Sequence, residues 1–265
     1  MPEGVRRLTF HDRPWRRPGG AGREPVGPRP VDSSAVTETL PAAVLWDMDG
    51  TLVDTEPYWF LCQVELVESF GGTWSRADGD ALIGSGLWQS ARVLQSHGVE
   101  LSEDEIIDRL TTAVLERSAV EIPWRPGAKE LLADLRREGV PTALVTMSIR
   151  RMAQFMVDAI DFEAFDAIVA GDDVEHAKPH PEAYLRGAEL LGVDPADCIA
   201  IEDSTPGLAA AVAAGTVAIG VEHHAPLADD GPFIRRETLV GTTVDDLRDL
   251  HRAGRAVRDR STSDS

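Results

Sequence analysis

Lysine and cysteine are rare in this sequence of 265 residues, which contains two of each. Cys62 and Cys198 lie far apart and lack the C-x-x-C spacing of metal or redox motifs, so we expect both to be small core residues. No stretch approaches the ~20 consecutive apolar residues that a membrane-spanning helix needs. The arginines near the start are not followed by an apolar segment, so no secretory signal is predicted. We therefore expect a cytoplasmic protein that does not bind membranes.

Positive charge is also scarce, because 26 Lys and Arg residues face 45 Asp and Glu residues and the formal net charge is -19. This excess of negative charge repels a phosphate backbone, so DNA and RNA are not expected as partners. Residues 1–40 are the exception, with seven Arg against five acids. They are rich in Pro and Gly and have no apolar period, which predicts a disordered extension; a basic docking arm is the alternative. Residues 251–265 are predicted to form a second, frayed tail.

Short apolar runs of strand length alternate with helical patterns between these two tails. The alternation is typical of a parallel sheet with crossover helices and predicts an α/β fold. The predicted strands are 43–46, 141–145, 167–170, 198–201 and 217–221. The predicted helices between them are 127–138, 150–160, 181–191 and 205–214. We assign this catalytic core to residues 41–57 and 125–250.

Residues 58–124 interrupt the alternation, because their apolar side chains recur at helical spacing and no buried strand is evident. Two such faces are Phe60, Val64, Val67 and Phe70, followed by Ile106, Leu110 and Val114. An insert of this size after the first strand lies over the carboxyl ends of the strands, where open α/β sheets bind ligands. We predict a helical cap that acts as a lid.

Polar side chains follow four of the predicted strands. Asp47 and Asp49 come directly after the first strand, where a solvated turn is the alternative to a functional site. The others are Thr146-Met147-Ser148 after the second strand, Lys178 after the third, and Glu202-Asp203-Ser204 after the fourth. Taken singly, these residues have simpler roles as helix caps or solvated loop residues. Taken together, they predict one polar site in which a hydroxyl and helix N-terminal amides hold an anion.

These motifs, in this order, resemble those of the haloacid dehalogenase superfamily. The resemblance rests on D-x-D-G-T at 47–51, LVDTEP at 52–57, Thr146, Lys178 in AKPHPE and E-D-S at 202–204, and it covers about residues 41–250. Within the superfamily, the chain is similar to the β-phosphoglucomutase-like phosphatases and mutases. The resemblance implies a Rossmann-like, three-layer core around a parallel sheet, with an α-helical cap inserted after the first strand.

The resemblance implies Mg²⁺-dependent hydrolysis of a small phosphorylated metabolite, such as a sugar, polyol or nucleotide phosphate. Asp47 is the expected nucleophile, which forms an aspartyl-phosphate, and Asp49 is the expected general acid and base. The expected Mg²⁺ ligands are Asp47, the Asp49 carbonyl and Asp203. Glu202 is expected either to bind the ion directly or to contact the residues that bind it. The expected phosphate-binding groups are Lys178, the Thr146 hydroxyl and the amides of Met147 and Ser148.

Other members of the superfamily are less similar to this sequence. Dehalogenating members lack an acid at the position of Asp49, and phosphonate-cleaving members need a cap lysine that 58–124 do not contain. A phosphomutase is the main alternative, but its cap loop resembles G-x-S-R-x-x-S, and here Gly86-Leu87-Trp88-Gln89-Ser90 has no arginine unless Arg92 replaces it. A non-catalytic sensor of phosphorylated metabolites is another alternative. The sequence does not indicate an oligomeric state.

Several cap residues are candidates for substrate contacts. They are Glu56, Gly84, Gly86, Trp88 and Arg92. Glu56 is equally consistent with an exposed hinge residue, and the cap tryptophans are consistent with core positions. The pair His223-His224 is expected in a solvated loop, because no third metal ligand lies near it in the sequence.

Overall fold

Six strands form one parallel sheet in the computed structural model, which describes residues 40–224, 226–227 and 231–263. They are β1 (Ala43–Trp46), β2 (Thr142–Val145), β3 (Ala167–Val169), β4 (Cys198–Glu202), β5 (Val217–Val221) and β6 (Ile234–Arg236). Their order is β3-β2-β1-β4-β5-β6, and every neighbouring pair is parallel. In a doubly wound sheet of this order the connections change direction between β1 and β4, which opens a crevice at the carboxyl ends of these two strands.

The predicted strands are confirmed to within one or two residues, and β6 is an addition. Its three residues, Ile-Arg-Arg, lie at the edge of the sheet and are partly exposed, so they carry no apolar run that a sequence pattern could reveal. The Rossmann-like α/β fold is confirmed. The extension predicted for residues 1–40 lies almost entirely outside the described residues and stays a prediction.

Helices cover both faces of the sheet. Those of the core are α5 (Ala128–Arg137), α6 (Arg150–Asp158), α7 (Glu182–Leu191), α8 (Thr205–Ala213) and α9 (Val244–Ser263), numbered after the four helices of the insert. Successive side chains of β1 point to opposite faces, as the strand period requires. Ala43 and Leu45 pack with α7 and α8, whereas Val44 and Trp46 pack in the larger core with α5 and α6. Burial on both faces explains why the strands read as continuous apolar runs.

The prediction of a frayed tail at residues 251–265 is wrong for residues 251–263, because α9 continues to Ser263. Leu250 packs against the core and His251 is buried. Gly254 lies so close to β5 that a Cβ would come within 2.5 Å of Val217. These contacts hold the helix on the sheet, and the sequence pattern missed them because so few apolar residues make them. No helix in the described ranges combines the length and the hydrophobicity needed to cross a membrane.

Four helices form the insert between β1 and α5. They are α1 (Glu56–Ser69), α2 (Arg76–Asp80), α3 (Leu87–Ser96) and α4 (Glu103–Ser118). The predicted face of α4 is buried, and Ser102 and Glu105 form a capping box at its start. The buried face of α1 overlaps the predicted one at Val67 but is rotated from it, because its other buried residues are Trp59, Cys62, Gln63 and Leu66. Core and insert belong to one compact unit, so a separate cap domain at 58–124 stays a prediction.

Candidate active site

The carboxyl ends of β1, β2 and β4 bring the predicted polar residues together. Asp47 follows β1, Thr146 follows β2 and Asp203 follows β4, and all three side chains are buried. Asp47 and Asp203 directly follow the two strands that flank the crevice of the sheet. The loop between β3 and α7 supplies Lys178 to the same place.

Lys178 is the central cation of this cluster. Its Nζ donates hydrogen bonds to Asp47 Oδ1 at 2.7 Å, to Glu202 Oε1 at 2.6 Å and to the Val145 carbonyl at 3.0 Å. Only 6% of the residue is exposed. Burial opposes the charge of the ammonium, but the Asp47 and Glu202 carboxylates outweigh burial and raise the pKa of Lys178. Lys178 is therefore a fixed positive charge beside Asp47.

Glu202 is fully buried, and both of its carboxylate oxygens are satisfied by the protein. Oε1 accepts hydrogen bonds from Lys178 and from the Tyr184 hydroxyl at 2.8 Å. Oε2 accepts from the Asp203 and Ser204 amides and from Ser204 Oγ. A Cβ at Gly207 would lie 1.9 Å from Oε1, so only glycine lets the start of α8 approach this closely. The geometry favours Glu202 as the anchor of Lys178 and α8 over the role of direct metal ligand.

Negative charge exceeds positive charge in this buried cluster. Oxygens of Asp47, Glu202 and Asp203 lie within 4.8 Å of one another, and Lys178 is the one cation bound to them among the described residues. Burial and Glu202 raise the pKa of Asp47 to about 8, even though Lys178 opposes the shift. Burial, Asp47 and Glu202 likewise raise the pKa of Asp203. Carboxylate oxygens with surplus charge fit a hard divalent cation such as Mg²⁺.

Gly50 allows Asp203 to approach the turn that follows β1. It has a φ of +91°, and a Cβ built on it would lie 1.9 Å from Asp203 Oδ2. The turn is closed by a hydrogen bond of 2.7 Å from the Gly50 amide to the Val53 carbonyl. Glycine is therefore required here by both backbone conformation and space.

Replacing Gly50 by alanine should lower the free energy of unfolding by about 3 kcal/mol, the sum of left-handed strain and overpacking. Gly71→Ala is the matched control, because Gly71 has a φ of +79° but nothing within 4 Å of its Cβ position. The control should lose only about 1 kcal/mol, from strain alone. Urea unfolding of both variants measures the difference, and equal losses would contradict the close approach of Asp203.

Asp49 accepts hydrogen bonds from both the core and the insert. Oδ1 accepts from Thr55 Oγ1 at 2.5 Å and from Trp59 Nε1 at 3.3 Å. Oδ2 accepts from Ser148 Oγ at 2.8 Å and from Thr146 Oγ1 at 3.3 Å. Thr146 Oγ1 also accepts from the Ser148 amide at 3.0 Å, so two predicted phosphate-binding groups are bonded to each other here. Sequence reasoning missed Thr55 and Trp59 as partners of Asp49.

A cavity of about 70 Å³ lies between this cluster and the insert. Eight of the predicted site residues line it, namely Asp47, Asp49, Glu56, Gly84, Thr146, Met147, Ser148 and Lys178. Gly84 lies against Ser204 and Pro206 at the start of α8, where a Cβ would come within 3 Å of both. The insert therefore closes over the carboxyl ends of the strands, as the sequence predicted.

Three predicted cap residues do not line this cavity. Trp88 donates from Nε1 to Asp104 at 3.2 Å, and Arg92 donates to Glu103 at 2.9 Å with most of its side chain exposed. Both lie on one face of α3, four residues apart, and this face points to the start of α4. Gly86 is the N-cap of α3. The prediction that Trp88 and Arg92 contact substrate is therefore corrected, and Arg92 does not replace the missing arginine of the mutase loop.

The His223-His224 pair lies in a loop after β5, as predicted, with His224 exposed, but both rings also contact Asp54 in the connection between core and insert. Asp54 Oδ1 lies 2.9 Å from His223 Nε2 and 2.7 Å from His224 Nε2. Arg125 donates to His223 Nδ1 at 2.6 Å. Because arginine only donates hydrogen bonds, Nδ1 accepts and the ring proton lies on Nε2, beside Asp54. This arrangement fits a structural link between the loop at 223–224 and the connection to the insert better than it fits a metal centre.

Comparison with known proteins identifies the family. A profile of the haloacid dehalogenase-like hydrolases matches residues 41–215. The chain belongs to this family. Hexitol phosphatase B of Escherichia coli (strain K12) is 31% identical over 220 residues, which are 77% of this chain and 96% of the relative. As a haloacid dehalogenase-like hydrolase with phosphatase relatives, the chain is an enzyme, and the predicted superfamily is confirmed.

Two further proteins extend the comparison. Phosphoglycolate phosphatase 1 of Pseudomonas aeruginosa is 30% identical over 80% of this chain and 79% of the relative. The crystal structure of CbbY from Rhodobacter sphaeroides in complex with phosphate has a TM-score of 0.69 and 27% identity, and covers 77% of this chain and 96% of that one. The similarity therefore spans both the core and the insert.

Proposed function

We propose that this hydrolase releases phosphate from a small phosphorylated metabolite, with Mg²⁺, through an aspartyl-phosphate on Asp47. The observation that carries the proposal is Lys178, which binds Asp47 at 2.7 Å in a buried cluster at the crevice of the sheet. A fixed cation there stabilises both the nucleophile and the charge of a transferring phosphoryl group. The phosphatase relatives support the same reaction class.

In the first step, a carboxylate oxygen of Asp47 attacks phosphorus and the bond from phosphorus to the ester oxygen breaks. Asp49 donates a proton to that oxygen, so the leaving group departs as an alcohol. The donors around Asp49 position its carboxyl group for this transfer. In the second step, Asp49 accepts a proton from water as the water oxygen attacks phosphorus. The bond from Asp47 to phosphorus breaks, and inorganic phosphate is released.

Asp47, Asp203 and the Asp49 carbonyl are the residues that we propose to hold Mg²⁺. When bound, the ion neutralises the carboxylates and the phosphoryl oxygens and so permits their approach. Lys178 would supply positive charge to the phosphoryl group, and the Thr146 hydroxyl and the Met147 and Ser148 amides would bind the remaining phosphoryl oxygens. Of the described residues, no cation from the insert lines the cavity, which weighs against a mutase that must bind a second phosphate.

The test is phosphate release from a panel of sugar, polyol, nucleotide and short-chain carboxylate phosphates, with Mg²⁺ and with chelator. We expect release that requires Mg²⁺ and that the chelator removes. Release that persists in chelator would contradict the metal requirement. Isomerisation of a sugar phosphate without release would favour a mutase, and binding without turnover of any ester would favour a sensor.

Metal binding should also change the pH dependence of stability. The pKa of Asp47 is raised to about 8 in the folded chain, so between its ordinary value near 4 and pH 8 the folded state binds more protons than the unfolded state. The stability of the metal-free protein should therefore fall as the pH rises over this range. Mg²⁺ favours the ionised carboxylates, so its effect on Tm should be larger at pH 8 than at pH 5. Thermal melts with and without Mg²⁺ measure this, and an equal effect at both pH values would contradict it.

A further inference from the structure

The side of the cavity formed by the insert carries hydrogen-bonding groups that have no partner among the described residues. Glu56, at the start of α1, lines the cavity and forms no hydrogen bond or ion pair within the described part of the chain. Gln63 uses Oε1 to accept from Trp74 Nε1 at 3.1 Å, which leaves its amide nitrogen to donate. Ser85 adds a hydroxyl. An acceptor, a donor and a hydroxyl around one space match the hydrogen bonds of alcohol groups.

No cationic side chain of the insert lines this cavity among the described residues. The four arginines of the insert are absent from the cavity lining, since Arg109 is exposed and the other three form ion pairs with partly exposed partners. Those pairs are Arg76 with Asp80, Arg92 with Glu103 and Arg117 with Glu65. Lys178, on the core side, is already bound by two carboxylates. A second anionic group on a ligand would therefore meet no free cation among the residues that line the cavity.

The surroundings of Glu56 are negative. Burial and the charges of Asp49, Asp54 and Asp80 raise the pKa of its carboxyl group to about 7, although Arg76 opposes the shift. The same negative charges would act on an anionic group of a ligand placed beside Glu56. Juxtaposed like charges in a closed site repel each other and serve to exclude the wrong ligand.

We infer that Glu56 is a specificity-determining residue, which selects monophosphates with an uncharged, hydroxylated leaving group and rejects esters that carry a second anion. This inference rests on the proposed phosphatase function and names its substrate class, the polyol and sugar monophosphates. It distinguishes this chain from an enzyme for short phosphorylated carboxylic acids, although one of its relatives is a phosphoglycolate phosphatase.

The test compares esters that differ only in that second charge. Sorbitol 6-phosphate and 6-phosphogluconate differ in one terminal group, a hydroxymethyl against a carboxylate, and glycerol 3-phosphate with 3-phosphoglycerate repeats the comparison in three carbons. We expect kcat/KM to favour the uncharged member of at least one pair by about 100-fold. The ratio within one protein is independent of how much of that protein is folded.

Two variants assign this preference to Glu56. Glu56→Gln keeps the size of the side chain and removes its charge, and should reduce the preference about tenfold, by lowering kcat/KM for the uncharged ester and raising it for the carboxylate. Glu68→Gln, on the exposed side of the same helix, should leave the ratio unchanged.

Four results would overturn the inference. Similar rates for both members of each pair, or a preference for the carboxylates, would overturn it and leave the phosphatase intact. An unchanged ratio in Glu56→Gln would remove the role of this residue. If no member of either pair released phosphate, both the inference and the proposed function would be contradicted.

Discussion

Replacing Lys178 by methionine should lower the free energy of unfolding by about 3–5 kcal/mol, because it leaves the buried carboxylates of Asp47 and Glu202 without their cation. The rate of phosphate release should fall by about 1,000-fold or more, since the transferring group loses a fixed positive charge. The loss of stability should be smaller near pH 5 than at pH 8, because protonation relieves the uncompensated negative charge. Urea unfolding at the two pH values and a phosphate assay measure these effects.

The only other lysine provides the control. Lys129 is 3.7 Å from Asp161, whose side chain is largely exposed, and it lies over the ring of Trp124. Exposed pairs of this kind contribute little, so Lys129→Met should change stability by less than about 1 kcal/mol and leave turnover near that of the wild type. Equal destabilisation by the two substitutions would contradict the account of Lys178.

Replacing Asp47 by asparagine should reduce turnover by at least about 1,000-fold, because no carboxylate remains to attack phosphorus. The same change should stabilise the metal-free protein by about 1–2 kcal/mol, as is common when a strained functional group is removed. The physical reason is the raised pKa of Asp47, which shows that the folded chain disfavours its ionised form at neutral pH. Asparagine has nearly the same shape without the charge.

Thermal melts in chelator and a phosphate assay check both parts of this prediction. The variant should also lose most of the stabilisation that Mg²⁺ gives the wild type, because a metal ligand is missing. Turnover near the wild-type rate would contradict the mechanism. A large loss of stability would show instead that the bond from Lys178 to Asp47 outweighs the repulsion among the carboxylates.

The positions of the central site residues were predictable because the parallel sheet determines them. Five buried parallel strands appear as apolar runs, and the carboxyl ends of parallel strands meet at one edge of the sheet, so the residues that follow them must lie together. Asp47, Thr146 and Asp203 could therefore be placed in one site without coordinates. Lys178 follows β3 by several residues, and the resemblance to a family was needed to assign it.

The partners of these residues were not predictable from spacing. Trp59 reaches Asp49 because α1 buries the face that contains Trp59 and Cys62, next to the predicted one. Apolar side chains occur on both faces of this helix, so periodicity does not distinguish them. The sequence contains only a weak indication that Tyr184 has a polar partner. Tyr184 carries a hydroxyl on the buried face of α7, whose other residues are small and apolar. Its bond to Glu202 depends on how α7 packs against the sheet.

The predictions for Trp88 and Arg92 in the cap were wrong for a related reason. Sequence spacing places Trp88 and Arg92 on one face of α3, but only the packing of α3 against α4 decides that this face turns away from the cavity. Glu56 and Gly84 line the cavity because they lie next to the core, at the first residue of α1 and beside the start of α8. Prediction was therefore most accurate near the sheet and least accurate across the insert.

The most direct test of the central claim is to trap the phosphoryl group on Asp47. The 265-residue protein is mixed with Mg²⁺ and an ester that it hydrolyses, quenched, and treated with borohydride, which reduces an aspartyl-phosphate to homoserine. Peptide mass spectrometry then locates the product. The account predicts homoserine at position 47 only when ester and Mg²⁺ are both present, and none in Asp47→Asn. Homoserine at another aspartate, or rapid turnover by Asp47→Asn, would contradict it.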